Sequence, residues 1–294
     1  MGMGNGGARR WAACLALVLW GVACQVAAGT VVTREFVSKA LGRPWAYAVY
    51  VPDGYASAAL RYPVLYLLHG NGGHKLSWVN DGRIQQTADR LIASGEIPPC
   101  LIVMPDAGTS WFVDRTERME TAVIDDLVTE VEGQWKALSM RSGRLVGGLS
   151  MGGYGALRFA LKYPERFGAA ALLSPAIYDP EPPVASSARK VGVFGSPAFD
   201  PEVWKALNYP ALWDAYLAKR QPVPMYINAG DDDEFVIEQE AARLYGLLRK
   251  HQQPAQLRIV DGAHVWAVWE STIGDAMKYL FRFAERPVVD AAPR

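Results

Sequence analysis

The five residues Gly148-Leu149-Ser150-Met151-Gly152 open the stretch GLSMGGYGALRFALKYP. Their G-x-S-x-G spacing is that of a nucleophile elbow, a sharp strand-to-helix turn with a serine at its apex. Glycine flanks the serine because the backbone of such a turn passes too close to its neighbours for a Cβ. Residues 144–148 (RLVGG) have the short apolar pattern of a buried strand, and residues 154–163 (YGALRFALKY) have helical spacing, halted by Pro164. That context favours a nucleophile at Ser150 over a serine that merely caps a helix.

Outward from the elbow, apolar runs alternate with amphipathic ones. Residues 31–38 and 46–51 read as strands, and residues 62–69 (YPVLYLLH) as a central strand leading into Gly70-Asn71-Gly72-Gly73. A helix is predicted over 83–94, a strand over 100–104, and a long amphipathic helix over 119–138 with Val123, Leu127, Val131 and Trp135 on one face. After the elbow come strands at 168–174, 222–229 and 256–260, and helices at 235–249 and 266–283. This alternation predicts an α/β fold with a mainly parallel sheet covered on both faces. No linker interrupts it, so residues 29–294 read as a single domain. Residues 179–222 break the rhythm, being rich in proline with two short helical pieces. A simple crossover needs far fewer residues, so part of this insertion is expected to lie over the sheet edge, where binding loops and lids are found.

The 294 residues include 30 basic and 30 acidic side chains, which removes any electrostatic case for a nucleic-acid partner. At the N-terminus, Arg9-Arg10 precede the apolar run WAACLALVLWGVACQVAA, and Val26-Ala27-Ala28 offer a small-residue exit. This pattern predicts a cleaved export signal over residues 1–28, a secreted or periplasmic mature chain, and no stable membrane span after cleavage. Gly21-Val22-Ala23-Cys24 faintly resembles a lipobox, so lipid anchoring at Cys24 is the lesser alternative. Loss of Cys14 and Cys24 with the leader leaves Cys100 alone, which excludes an internal disulfide. Cys100 opens the apolar run CLIVMP and reads as a small buried hydrophobe.

A serine hydroxyl needs a base to take its proton. Chain order after an elbow runs serine, acid, histidine, which sets aside His69 and His74. His251 sits at a helix end, where a cation suits the dipole. His264 follows the last strand in DGAHVWAVW, where chemistry gathers in open α/β sheets, and is taken as the base. The acid belongs on the turn after the preceding strand, where Gly230 is followed by Asp231, Asp232, Asp233 and Glu234. Spacing alone does not choose among the three aspartates. Consecutive acids are unlike the alternating ligands of an EF-hand loop, and no metal or cofactor is called for. Backbone N–H groups of Met151 and of Asn71, in the HGNGG loop, are assigned to the oxyanion hole. Trp78, Trp111, Trp266 and Trp269 fall on or beside loops at the same end of the sheet and are candidate pocket walls.

Taken together, YLLHGNGG, VMPDAGTSW, GLSMGGYGALRFALKYP, NAGDDDEF and DGAHVWAVW resemble the α/β-hydrolase esterase family, which includes S-formylglutathione hydrolases, feruloyl and acetylxylan esterases, enterochelin esterases and mycolyltransferases. The likeness runs from about residue 33 to residue 283. It implies the α/β-hydrolase fold, Ser150 as nucleophile, His264 as base, and Asp233 as the acid at the last position of G-x-x-D. The reaction implied is hydrolysis of a small or polymer-linked carboxylic ester through an acyl-enzyme. An acyltransferase passing the acyl group to a sugar or lipid hydroxyl is the alternative, and a thioesterase or a non-catalytic binding protein is a lesser one. Residues 179–222 match none of the family's substrate-specific loops, so the substrate stays open.

Overall fold

A computed structural model describes residues 1–2 and 28–289 of the chain; the predicted export signal falls almost wholly outside them. In chain order the elements are β1 (Thr30–Ser38), β2 (Arg43–Val51), β3 (Leu60–Arg61), β4 (Val64–Leu68), α1 (Ser77–Asn80), α2 (Ile84–Ala93) and β5 (Leu101–Pro105). There follow α3 (Met119–Thr121), a π-helical segment (Ala122–Leu127), α4 (Val128–Gln134), β6 (Arg144–Leu149), α5 (Met151–Lys162) and β7 (Ala169–Leu173). The chain then runs through α6 (Pro201–Leu207), α7 (Trp213–Ala218), β8 (Met225–Gly230), α8 (Ile237–Lys250), β9 (Ala255–Val260), α9 (Trp266–Leu280) and β10 (Val288–Val289).

Eight strands form one sheet in the order β1-β2-β5-β4-β6-β7-β8-β9. From β5 to β9 neighbouring strands are parallel, while β1 and β2 add an antiparallel ribbon at one edge. Period-two alternation splits each inner strand between two apolar layers. Val64, Tyr66 and Leu68 of β4 face the layer that also holds α4, α5 and α8, and Leu65 and Leu67 face the one under α2 and α9. This is the doubly covered α/β-hydrolase architecture. Cys100 is buried, and the apolar surroundings push its thiol pKa far up, so it is an inert core residue. Among the described residues no helix is long and apolar enough to cross a membrane.

Two expectations needed revision, and one strand pairing had not been anticipated. The helix predicted over 119–138 ends at Gln134, because the chain beyond it docks on β3's neighbour Tyr62: Tyr62 N–H donates to the Lys136 carbonyl (2.7 Å) and Leu138 N–H to the Tyr62 carbonyl (2.9 Å). The pairing of β3 with β10 had no sequence signal, since each strand has two residues and they lie far apart in the chain. Residues 179–222 chiefly cover α5 at the middle of the sheet, and their flanks, at Asp179 and Trp213, reach α8 towards the β9 edge. Trp204 is fully buried against Tyr154 (ring centroids 5.7 Å) and Phe194 (4.8 Å), and Tyr154 Oη and Arg158 Nη1 each donate to the Leu207 carbonyl at 2.7 Å. An α5 with buried residues all round needs such a cover.

Arg158 also meets Glu120 of α3 (Nε–Oε2 2.6 Å), and both side chains are under a tenth exposed. Glu120 further accepts from Lys162 and from Tyr163 Oη (2.6 Å). Burial opposes its charge, but Arg158 and these donors outweigh it and hold its carboxyl below the ordinary range. Removing one partner strands the other's charge in the interior. Glu120→Ala is therefore expected to lower stability by about 3–5 kcal/mol in denaturant titration, whereas a surface pair such as Lys219–Glu165 contributes under about 1 kcal/mol.

Candidate active site

The end of β6 turns into α5 at Ser150, whose backbone sits at φ 53°, ψ −118°. Its N–H donates to the Leu173 carbonyl (2.9 Å), and its own carbonyl accepts from Tyr154 N–H (3.0 Å) and Ala176 N–H (3.1 Å). The turn is thus tied to the next strand and to the helix it starts. A Cβ on Gly152 would lie 2.5 Å from the Leu68 carbonyl oxygen, so only glycine lets α5 begin this close to β4.

Two other loops reach the serine from the carboxyl ends of β8 and β9. They are zipped together: Asp231 N–H donates to the Val260 carbonyl (2.9 Å), Asp232 N–H to the Gly262 carbonyl (3.0 Å), and Gly262 N–H to Asp231 Oδ1 (3.0 Å). A Cβ on Gly230 would come within 2.0 Å of the Gly262 carbonyl oxygen, so this contact also requires glycine. The zipper settles the register of the acidic turn. Asp231 is spent on the opposite loop, Asp232 stays exposed, and Asp233 is turned inward to 5 % exposure. Asp233 Oδ1 accepts from Phe235 N–H (3.0 Å) and Oδ2 from His264 Nδ1 (2.7 Å). With Nδ1 donating to the carboxylate, His264 Nε2 is the acceptor for the Ser150 hydroxyl at 2.9 Å. The rings of Phe235 and Trp269 stand nearly perpendicular to the imidazole, each with its centroid 5.0 Å away, and fix its orientation.

Asn71 lies beside Ser150 in the wall of one cavity. Among the described residues no backbone carbonyl takes the N–H of Asn71 or of Met151, the first residue of α5. The Asn71 loop is held from behind by His69, which is buried. His69 Nδ1 donates to the Gly70 carbonyl (2.7 Å) and Nε2 accepts from Ala107 N–H (2.9 Å). Both ring nitrogens are thereby spent on loops, and burial holds the His69 pKa below its ordinary 6.5. His251 caps α8 beside Trp213, away from the serine.

The cavity has a volume of about 760 Å³ and opens to solvent. Trp266 and Trp269 line it, but Trp78 and Trp111 do not. Trp78 stands behind Trp266, at 5.3 Å between centroids, with its indole N–H on the Leu68 carbonyl (3.0 Å). Trp111 is buried under the insertion, against Tyr154 and Phe194. Trp111 lies in an irregular loop and Trp78 in the single-turn α1, and neither stretch carries enough periodicity to tell inward from outward side chains. Phe235 from the acid's turn, and Ala185, Ser187 and Lys190 from the insertion, were missed as wall residues. Phe235 carried a signal in lying two residues beyond Asp233, and the other three only through the insertion's break from the fold's rhythm.

The profile of the Putative esterase family matches residues 38–280. The chain belongs to that family. An endo-1,4-beta-xylanase/feruloyl esterase of Xylanibacter ruminicola is 34% identical over 163 residues, which are 52% of this chain and 22% of that protein. An acetyl esterase of Caldicellulosiruptor saccharolyticus is 26% identical over 233 residues, 75% of this chain and 84% of the relative. The chain spans under a third of the length of several curated relatives that it matches, the Xylanibacter protein among them. Among solved structures, a ferulic acid esterase superposes with a TM-score of 0.73 at 27% identity, covering 87% of this chain and 98% of that one.

The brace at His69 has a pH signature. Its proton is held less well in the folded chain than in the unfolded one, so its contribution to stability is whole above pH 6.5 and is lost as pH falls through the depressed folded value. His69→Gln is expected to melt below wild type at pH 7.5, with the gap narrowing by pH 5. A gap independent of pH in thermal melts would contradict the neutral brace.

Proposed function

We propose that this chain is an exported serine esterase that cleaves a carboxylic ester through an acyl-enzyme. The observation that carries the reading is the unbroken hydrogen-bond chain from Ser150 Oγ through His264 to Asp233. A hydroxyl whose proton already points at an imidazole loses it as the oxygen attacks, and the carboxylate on the far nitrogen stabilises the imidazolium that forms. The proton then passes from His264 Nε2 to the leaving alcohol. Water entering the open cavity repeats the sequence and releases the acid.

The N–H groups of Asn71 and Met151 are the proposed oxyanion donors. Among the described residues neither has a backbone carbonyl partner; Asn71 stands on the loop that His69 holds from behind, and Met151 opens α5 directly after the serine. A preorganised donor of this kind contributes about 3 kcal/mol to the transition state. The aromatic wall of Phe235, Trp266 and Trp269 suits an apolar portion of the substrate, while the open mouth admits a polymer-linked ester as readily as a small one. Export rests on the leader-like pattern of the first 28 residues. The names of the relatives, feruloyl esterase and acetyl esterase, support ester hydrolysis.

Short 4-nitrophenyl esters test the reading. Ser150→Ala and His264→Ala are expected to lower kcat about 10⁴-fold or more, and Asp233→Asn by a comparable factor. Equal turnover by wild type and Ser150→Ala would refute it. Product analysis with added sugar or lipid alcohols separates hydrolysis from acyl transfer.

A further inference from the structure

Of the residues lining the cavity, Lys190 and Asp81 carry full charges of opposite sign. Among the described residues neither has an ion-pair partner within 4.0 Å, and they are not paired with each other. Lys190 Nζ donates once, to the Ala185 carbonyl at 3.1 Å, so two of its three N–H donors are free. We propose that Lys190 makes the site selective for esters bearing an anionic group beyond the scissile carbonyl. This inference rests on the esterase reading and narrows its substrate class.

The cation is presented by a fixed wall. Lys190 N–H donates to the Ser187 carbonyl (2.9 Å), closing a short helical turn whose Ala188 is buried. Next to it, the Arg189 guanidinium lies over the Phe199 ring (4.4 Å from the centroid) and donates to the Pro182 carbonyl (2.6 Å) and Glu181 (2.8 Å). Deeper in, Trp204 donates its indole N–H to the Tyr178 carbonyl (3.1 Å), and Asn208 Nδ2 shares that acceptor at 2.7 Å. The anchored backbone fixes where the exposed Lys190 side chain leaves the wall, and its hydrogen bond to the Ala185 carbonyl directs the ammonium along the cleft lining, so the segment itself needs no ordering when substrate binds.

Asp81 comes from a different element, the turn after α1, alongside His74 and Ser77. The cavity is therefore electrically polarised: positive where the insertion closes it, negative beside α1. An anionic group on the insertion side gains from Lys190 and avoids Asp81, while a neutral ester gains from neither. Both side chains are exposed, and for solvent-screened charges such a difference corresponds to about fivefold in selectivity.

The test uses two matched pairs of esters. In one the acyl half carries the charge (mono-4-nitrophenyl glutarate against 4-nitrophenyl butyrate). In the other the leaving half carries it (3-acetoxybenzoate against phenyl acetate). The readout is the ratio of kcat/KM for the anionic ester over the neutral one. Lys190→Glu is expected to lower that ratio at least about fivefold in one pair, Lys190→Arg to keep it within about twofold, and added salt to bring the wild-type ratio down towards that of the charge-reversed protein. Lys250→Glu, remote on α8, is expected to leave it unchanged. An unaltered ratio in both pairs for Lys190→Glu, or an equal change for Lys250→Glu, would overturn the proposal while leaving the esterase reading in place. Absence of Ser150-dependent turnover of every ester would overturn both.

Discussion

A side-chain-bearing residue enters the backbone region of Ser150, φ 53° and ψ −118°, at a cost of about 1–3 kcal/mol. Everything around the turn serves to hold it there. Three backbone hydrogen bonds tie it to Leu173, Tyr154 and Ala176, and Gly152 lets the first turn of α5 lie against the carbonyls at the end of β4. The same close approach brings the loop after β4 beside the serine, so one steric constraint places both Ser150 and the neighbouring Asn71. The strain is localised at the residue whose side chain must stand clear of both strand and helix.

The second half of the site depends on strand pairing that continues past the strands. β8 and β9 stay in register from Met225–Ala255 to Gly230–Val260, and the loops beyond them remain hydrogen-bonded through Asp231, Asp232 and Gly262. Asp233 and His264, 31 residues apart in sequence, meet because of that extension. The imidazole is then confined by perpendicular rings on two sides, and Trp269 is itself anchored by its indole N–H on Ser174 Oγ (3.0 Å) at the end of β7. Ser150, Asp233 and His264 are thus positioned at the carboxyl ends of β6, β8 and β9 in one sheet, with Ser174 at the end of the intervening β7 holding Trp269.

Much of this was legible in the sequence because it is local. The elbow announces itself through residue types that a strained turn demands, and buried parallel strands through unbroken apolar runs such as VLYLL and LIVMP. His264 followed from chain order together with its place on the loop after the last strand. What escaped reading was non-local. Three consecutive aspartates are chemically equivalent until a loop from another strand occupies Asp231, so spacing left the acid open and only the family likeness pointed to Asp233. Trp111 looked like a wall residue until Trp204, about ninety positions later, covered it. The insertion's proline content marked a departure from the fold's rhythm, but its landing place on α5 is decided by Trp204, Tyr154 and Leu207 meeting in space. For the same reason Ala185, Ser187 and Lys190 gave no sign of their own that they face the cleft.

On the proposed reading, Ser150 is the nucleophile and His264 activates it. Labelling with a fluorophosphonate, followed by peptide mass spectrometry, tests it most directly, since phosphonylation needs the nucleophile and its base but no particular substrate. Stoichiometric adduct on the peptide containing Ser150, lost in Ser150→Ala and slowed by orders of magnitude in His264→Ala, is the predicted result. An unlabelled wild-type protein, an adduct elsewhere in the chain, or labelling of Ser150 at an undiminished rate in His264→Ala would contradict it.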